Sequence, residues 1–148
     1  MFGTALSWLT ASFLTLGLAA CGTDRIDDKY GLFQNPGPAT RLTPGLTSRT
    51  DVDRILGAPF AEWRGAINAR GKFEGTTFGV MPSGSPATQL EYHAHRYQAF
   101  GDWPLERHRL LSRHLTIVVD ANGLVREVTP REDIGAWDSK GLFSKGFF

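Results

Sequence analysis

Between positions 93 and 114 the chain gathers His93, His95, His108 and His114 together with Arg96, Arg107, Arg109 and Arg113. His93 and His95 lie two residues apart, so an extended strand puts both on one side, beside Glu91, and imidazoles so placed are competent zinc ligands. A zinc site needs three or four converging ligands. The simpler reading is a row of solvent-facing polar residues opposite Leu90 and Tyr92, and no metal is expected. The arginines suggest different chemistry, because guanidinium groups grip phosphate oxygens in pairs and the neighbouring Tyr97, Phe100 and Trp103 suit the headgroup level of a bilayer. Arg96, Phe100, Trp103, Arg107, Arg109 and Arg113 are therefore the candidate lipid or partner surface; the alternative is a solvated loop with paired charges. Mildly acidic pH would charge the histidines and strengthen the basic zone.

Catalytic signatures are missing. The sequence has no Gly-x-Ser-x-Gly elbow, no His-Glu-x-x-His and no phosphate-binding loop, and Ser83 and Ser85 sit in a Gly/Pro-rich segment without an orienting shell. Asp102 and Glu106 make no acid–base set with the histidines. A non-catalytic protein without a cofactor is expected.

Cys21 is the only cysteine, and it follows Leu18-Ala19-Ala20 at the end of an apolar stretch that begins near Ala5. This arrangement resembles the bacterial lipobox, in which small residues admit a signal peptidase and the thiol receives diacylglycerol. Residues 1 to 20 then read as a lipoprotein signal peptide. They are short for a membrane span, which needs ~20 apolar residues, and Thr10, Ser12 and Thr15 interrupt them. One feature departs from a routine signal: no Lys or Arg precedes the run, where an n-region normally carries positive charge. Multiple acyl chains at Cys21 would hold firmly, each buried methylene contributing about 0.8 kcal/mol. Gly22 follows the cysteine in place of an inner-membrane-retaining Asp, which favours the outer membrane with the domain facing the periplasm.

The 148 residues carry a formal net charge of +1, too little to steer the chain toward nucleic acid. Residues 21 to 45 read as a lipidated terminus and flexible tether, rich in Asp and then in Pro and Gly, with Tyr30, Leu32 and Phe33 expected to dock on the domain. Ser48 and Asp51 form a capping-box pattern, Val52, Ile55 and Leu56 share a helical face, and Gly57 with Pro59 ends the helix. Residues 60 to 88, punctuated by Gly65, Gly71, Gly75, Gly79 and Gly84, read as a long Gly-rich insertion with a hairpin. Alternation then predicts strands over Gln89 to Tyr97 and Leu115 to Val119, a turn at Asn122-Gly123, and a third strand from Leu124 to Thr129. Residues 131 to 148 form an aromatic tail expected to pack on the domain.

Leu42-Thr43-Pro44-Gly45-Leu46-Thr47, followed by Val52 and Leu56-Gly57-Ala58-Pro59, and later Leu115-Thr116-Ile117-Val118-Val119-Asp120-Ala121-Asn122-Gly123-Leu124-Val125, resemble the motifs of the SmpA/OmlA family of outer-membrane lipoproteins. The resemblance implies an α+β domain over residues 46 to 130, with short helices packed on one face of a three-stranded antiparallel β-meander. It also implies a non-catalytic role accessory to β-barrel outer-membrane protein assembly or envelope integrity, with assembly-machinery components and anionic phospholipid as partners. Ser48 and the 60 to 88 segment depart from the family pattern. The alternative is a periplasmic binding module similar to the β-lactamase inhibitory protein, which would present loops between Arg64 and Ser85 to an enzyme or envelope component.

Overall fold

The computed structural model describes residues 22–101, 106–138 and 143–144. Among these residues one antiparallel sheet dominates: β1 (Asp24–Asp27), β2 (Ala61–Ile67), β3 (Phe73–Gly75), β4 (Ser85–Phe100), β5 (Arg107–Asp120), β6 (Val125–Asp138) and β7 (Phe143–Ser144), with one α-helix among the described residues, α1 (Arg49–Leu56), and a 3-10 turn at Pro38–Arg41. The strand order is β3-β2-β4-β5-β6-β7, with β1 also paired to β4. Strand accounts for 54% and helix for 11% of the structure, which overturns the expected fold of short helices on a three-stranded meander. The meander exists as β4-β5-β6, but its strands are far longer than expected, and β2, β3 and β1 extend the sheet on its other side.

The two edges of β4 explain the arrangement. Along one it pairs with β5 from Ala87 opposite Asp120 to Phe100 opposite Arg107. The other edge is shared end to end: β2 takes Ser85 to Glu91, and β1 takes His95 to Gln98. Within residues 60 to 88 the expected hairpin is present as β2 and β3, but it belongs to the main sheet through β4 and is no separate insertion. Gly65, which reads as a breaker, is required there, because a Cβ would run into the Glu74 carbonyl and the Phe73 ring of β3. The stretch expected to be a tether is also structured: it pairs as β1 and then folds Tyr30, Leu32 and Leu42 into the core. Asp28 fixes that path by accepting from the Leu32 and Phe33 amides at 2.6 and 2.8 Å.

Alternation along β4 and β5 sends Leu90, Tyr92 and Ala94 to the same face as Leu115, Ile117 and Val119. Helix α1 closes this face with Val52 and Leu56. Its start is the expected capping box, Ser48 accepting from the Asp51 amide and Asp51 accepting from the Ser48 amide, and Gly57 caps the other end. Tyr92 is the hub. Tyr30 meets it edge-on at 5.0 Å, its hydroxyl reaches the Gly57 carbonyl at 3.4 Å, and burial pushes its phenol up to about 12. The turn into β6 uses a positive φ at Gly123 alone, with Asp120 accepting from the Asn122 and Leu124 amides. Beyond Ala94 the core-bearing face of the sheet continues with neither helix nor loop over it among the described residues.

Leu90→Ala should therefore cost about 2–5 kcal/mol, the loss of a fully enclosed side chain plus its cavity, whereas Leu46→Ala, at an exposed site, should stay within about 0.5 kcal/mol. Chemical denaturation monitored by circular dichroism reads both.

Candidate functional site

The basic zone expected between two strands lies on the strands themselves. His108 and His114 belong to β5 and not to a connection, and antiparallel register then sorts the residues by face. Arg96, Phe100, Arg107, Arg109 and Arg113 continue the core-bearing face, while His93, His95, His108 and His114 occupy the opposite one. Histidine charging therefore cannot reinforce the arginines as the sequence suggests, because the sheet separates them.

On the arginine face the uncovered half mixes cations with apolar side chains. Ile26, Phe100 and Ile134 are about half exposed, and Leu111 lies between them, opposite both Arg96 and Ile134. The arginines are not equivalent. Arg96 is tied to Asp24 through two hydrogen bonds, which hold the Asp24 carboxyl below its ordinary range. Arg113 donates to Glu132 at 2.7 Å and to the Leu32 carbonyl at 3.0 Å, and its guanidinium lies over the Phe33 ring. It thus pins the 28–42 segment to β5 and is a structural tie. Arg107 and Arg109 make no ion pair among the described residues and remain available for phosphate. Trp103 and Cys21, the other expected site residues, lie outside the described residues.

The opposite face is concave. The sheet curls so that Lys72 and Phe73, on the β3 side, line the same hollow as Arg131 and Asp133 of β6, enclosing about 630 Å³. Its floor is a polar lattice: Gln89 donates to Glu91 at 2.9 Å, His93 approaches Glu91 at 3.8 Å, and His114 approaches Asp133 at 3.5 Å. The His93 and His114 rings meet at 4.5 Å, and Phe60 stacks on His93 at the same distance. Further along, Tyr97 and His108 hydrogen-bond and stack. No three His, Cys, Asp or Glu residues converge as a metal site among the described residues. Trp63, half exposed and opposite Gln89 in the register, projects on this side as well.

Sequence reasoning missed Phe60, Trp63, Phe73, Arg131 and Asp133 as members of one surface. The available signal was Ala61-Trp63-Gly65-Ile67 alternating with Glu62-Arg64-Ala66, a period of two obscured by the glycines. Among the described residues no helix is long and apolar enough to cross a membrane.

Partial burial, and then the neighbouring His93, hold the His114 imidazole below its ordinary value. The unfolded chain therefore takes up its proton first as pH falls. Stability from this group is complete above the unfolded value of about 6.5 and declines as pH drops toward the lower folded value. His114→Asn should flatten that decline, which thermal melts across mildly acidic pH would register. No protein family model, curated protein or solved structure matches the chain.

Proposed function

We propose that this chain is a non-catalytic lipoprotein, anchored through Cys21 in the outer membrane and facing the periplasm, whose uncovered arginine-bearing sheet end works at the membrane surface. The observation that supports it is the pairing of β1. Asp24 sits opposite Gln98, and the Thr23 carbonyl accepts from the Ala99 amide at 2.8 Å. Cys21 is one residue beyond Gly22, where an added Cβ would meet the Ala99 carbonyl oxygen at 3.1 Å, and consecutive Cα atoms are about 3.8 Å apart. Acyl chains on that thiol would leave almost no slack between bilayer and sheet. The end of β4 would be held at headgroup level, in place of a domain held off on a flexible tether.

Phe100, Ile26, Arg107 and Arg109 then have a common use. Guanidinium groups engage lipid phosphates, and the apolar side chains enter the interfacial layer. In this reading the protein organises anionic phospholipid and adds a protein-binding surface beside the β-barrel assembly machinery. The assembly partner is supported by the Leu42–Thr47 and Leu115–Val125 phrases alone, since the fold that accompanies them in the SmpA/OmlA family is not the one adopted here.

A specific feature favours a second reading, the inhibitor-type module. Phe78, Val80 and Met81 are exposed on the loop leading into β4, Phe78 entirely so and with a positive φ, while Thr77 and Val80 exchange backbone hydrogen bonds that set the turn. A rigid turn presenting an aromatic residue suits an apolar pocket on a periplasmic enzyme.

Affinity purification of the tagged chain from gently solubilised outer membranes should enrich barrel-assembly components, and Cys21→Ala should abolish that enrichment. Reproducible recovery of one periplasmic enzyme, lost in Phe78→Ala, would select the inhibitor reading instead. Each cation near an anionic surface contributes about 1 kcal/mol, so Arg107→Ala with Arg109→Ala should weaken binding to anionic vesicles roughly tenfold or more at low salt. The difference should shrink at high salt; equal binding by parent and variant would remove lipid from the account.

A further inference from the structure

We infer that the concave histidine-bearing face is a binding trough for a neutral, polyhydroxylated glycan strand. It lies on the face opposite the arginines and stands on observations independent of the lipid-anchored reading, which contributes only the envelope location in which such strands are met.

The trough has the size of a ligand cleft, about 630 Å³, within the range of roughly 300–1,000 Å³ usual for such sites. Nothing in the described chain fills it, although the other face of the same strands is closed by α1 and the 28–42 segment. Its lining then selects the occupant. Two cations, Lys72 and Arg131, stand against three carboxylates, Glu91, Glu127 and Asp133. An anionic polymer would be repelled by that balance, and a lipid tail would strip water from charged groups at large cost. An extended peptide favours a free strand edge, whereas the floor here is the face of β4 and β5, whose backbone groups already pair with each other.

A sugar ring has two surfaces that this lining matches. Its hydroxyls need partners that accept and donate side by side, which Gln89, Glu91, Thr116 and Thr129 supply at fixed spacing along neighbouring strands. His114, kept neutral by burial, offers both a donor and an acceptor nitrogen. Its C–H face needs a flat apolar platform: Phe73 lines the hollow, and Phe60 and Trp63 stand beside it, next to the lining residues His93 and Gln89. Phe60 and Trp63 are more than half exposed, so their rings cover no core, and the Phe60 ring is held in place by its stack on His93. Exposed aromatic rings along one wall and paired polar groups on the floor are the complement of a glycan chain.

The test is titration of the purified full-length chain in detergent with chitohexaose and cellohexaose, and co-sedimentation with isolated cell-wall glycan. Saturable binding to at least one is expected, with Trp63→Ala raising Kd tenfold or more and Phe60→Ala raising it several-fold. Circular dichroism of both variants should match the parent, and Leu46→Ala, outside the trough, should bind as the parent does. Absence of binding to all three glycans would overturn the inference. So would unchanged affinity in a folded Trp63→Ala, or saturable binding of an extended peptide in the trough without glycan binding. Loss of lipid anchoring in Cys21→Ala with glycan affinity intact would separate this site from the membrane reading.

Discussion

The ladder between β4 and β5 carries the rest of the structure. It runs unbroken from Ala87 opposite Asp120 to Phe100 opposite Arg107, about 45 Å of strand at ~3.3 Å per residue. The elements that close a core, α1 and the 28–42 segment, reach only as far as Ala94. Beyond that point the arginine face carries no covering element among the described residues, while Ala99 is buried on the other face, and β1 satisfies the free edge of β4 from His95 to Gln98. Arg96 and Asp24 then clamp that short strand. Such exposed pairs contribute little individually, so backbone pairing supplies most of the hold.

Strand alternation divides the chemistry of the molecule. Each step along β5 from Arg107 to His114 changes face, so a cluster that looks uniform in sequence becomes two surfaces of different character. One is apolar and cationic, next to β1. The other is concave and polar, with one more carboxylate than cations in its lining, and has aromatic rings beside it. Arg113 belongs to neither, because Glu132, the Leu32 carbonyl and Phe33 occupy it.

Local signals in the sequence were readable where burial enforced them. Ser48 with Asp51, the alternation of Leu90, Tyr92 and Ala94, and the turn at Gly123 all stand as expected, since each joins a capping or packing requirement to a specific residue type. Legibility fails beyond the core cluster: Arg107 to Arg113 shows no apolar period and resembles a loop. Pro130 reads as the end of a strand, yet β6 continues through it, because no strand lies beyond that point among the described residues and a missing N–H on an outer edge costs little. The Pro and Gly residues between 35 and 45 likewise masked the pairing of Asp24–Asp27. For the arginines, residue type was legible from sequence but facing was not, since facing depends on strand limits that no buried residue marks.

The most direct measurement of the central claim, that Asp24–Asp27 is locked against the far end of β4 and, in the proposed lipoprotein, holds that end at the bilayer, is fluorescence quenching by headgroup-labelled lipid in liposomes carrying the lipidated chain. A probe would be placed through Gln98→Cys in one sample and Phe78→Cys in another, each in a background whose acylated Cys21 is unavailable to the dye. The account predicts strong quenching at position 98 and little at position 78. Equal quenching at the two positions, or stronger quenching at 78, would contradict it.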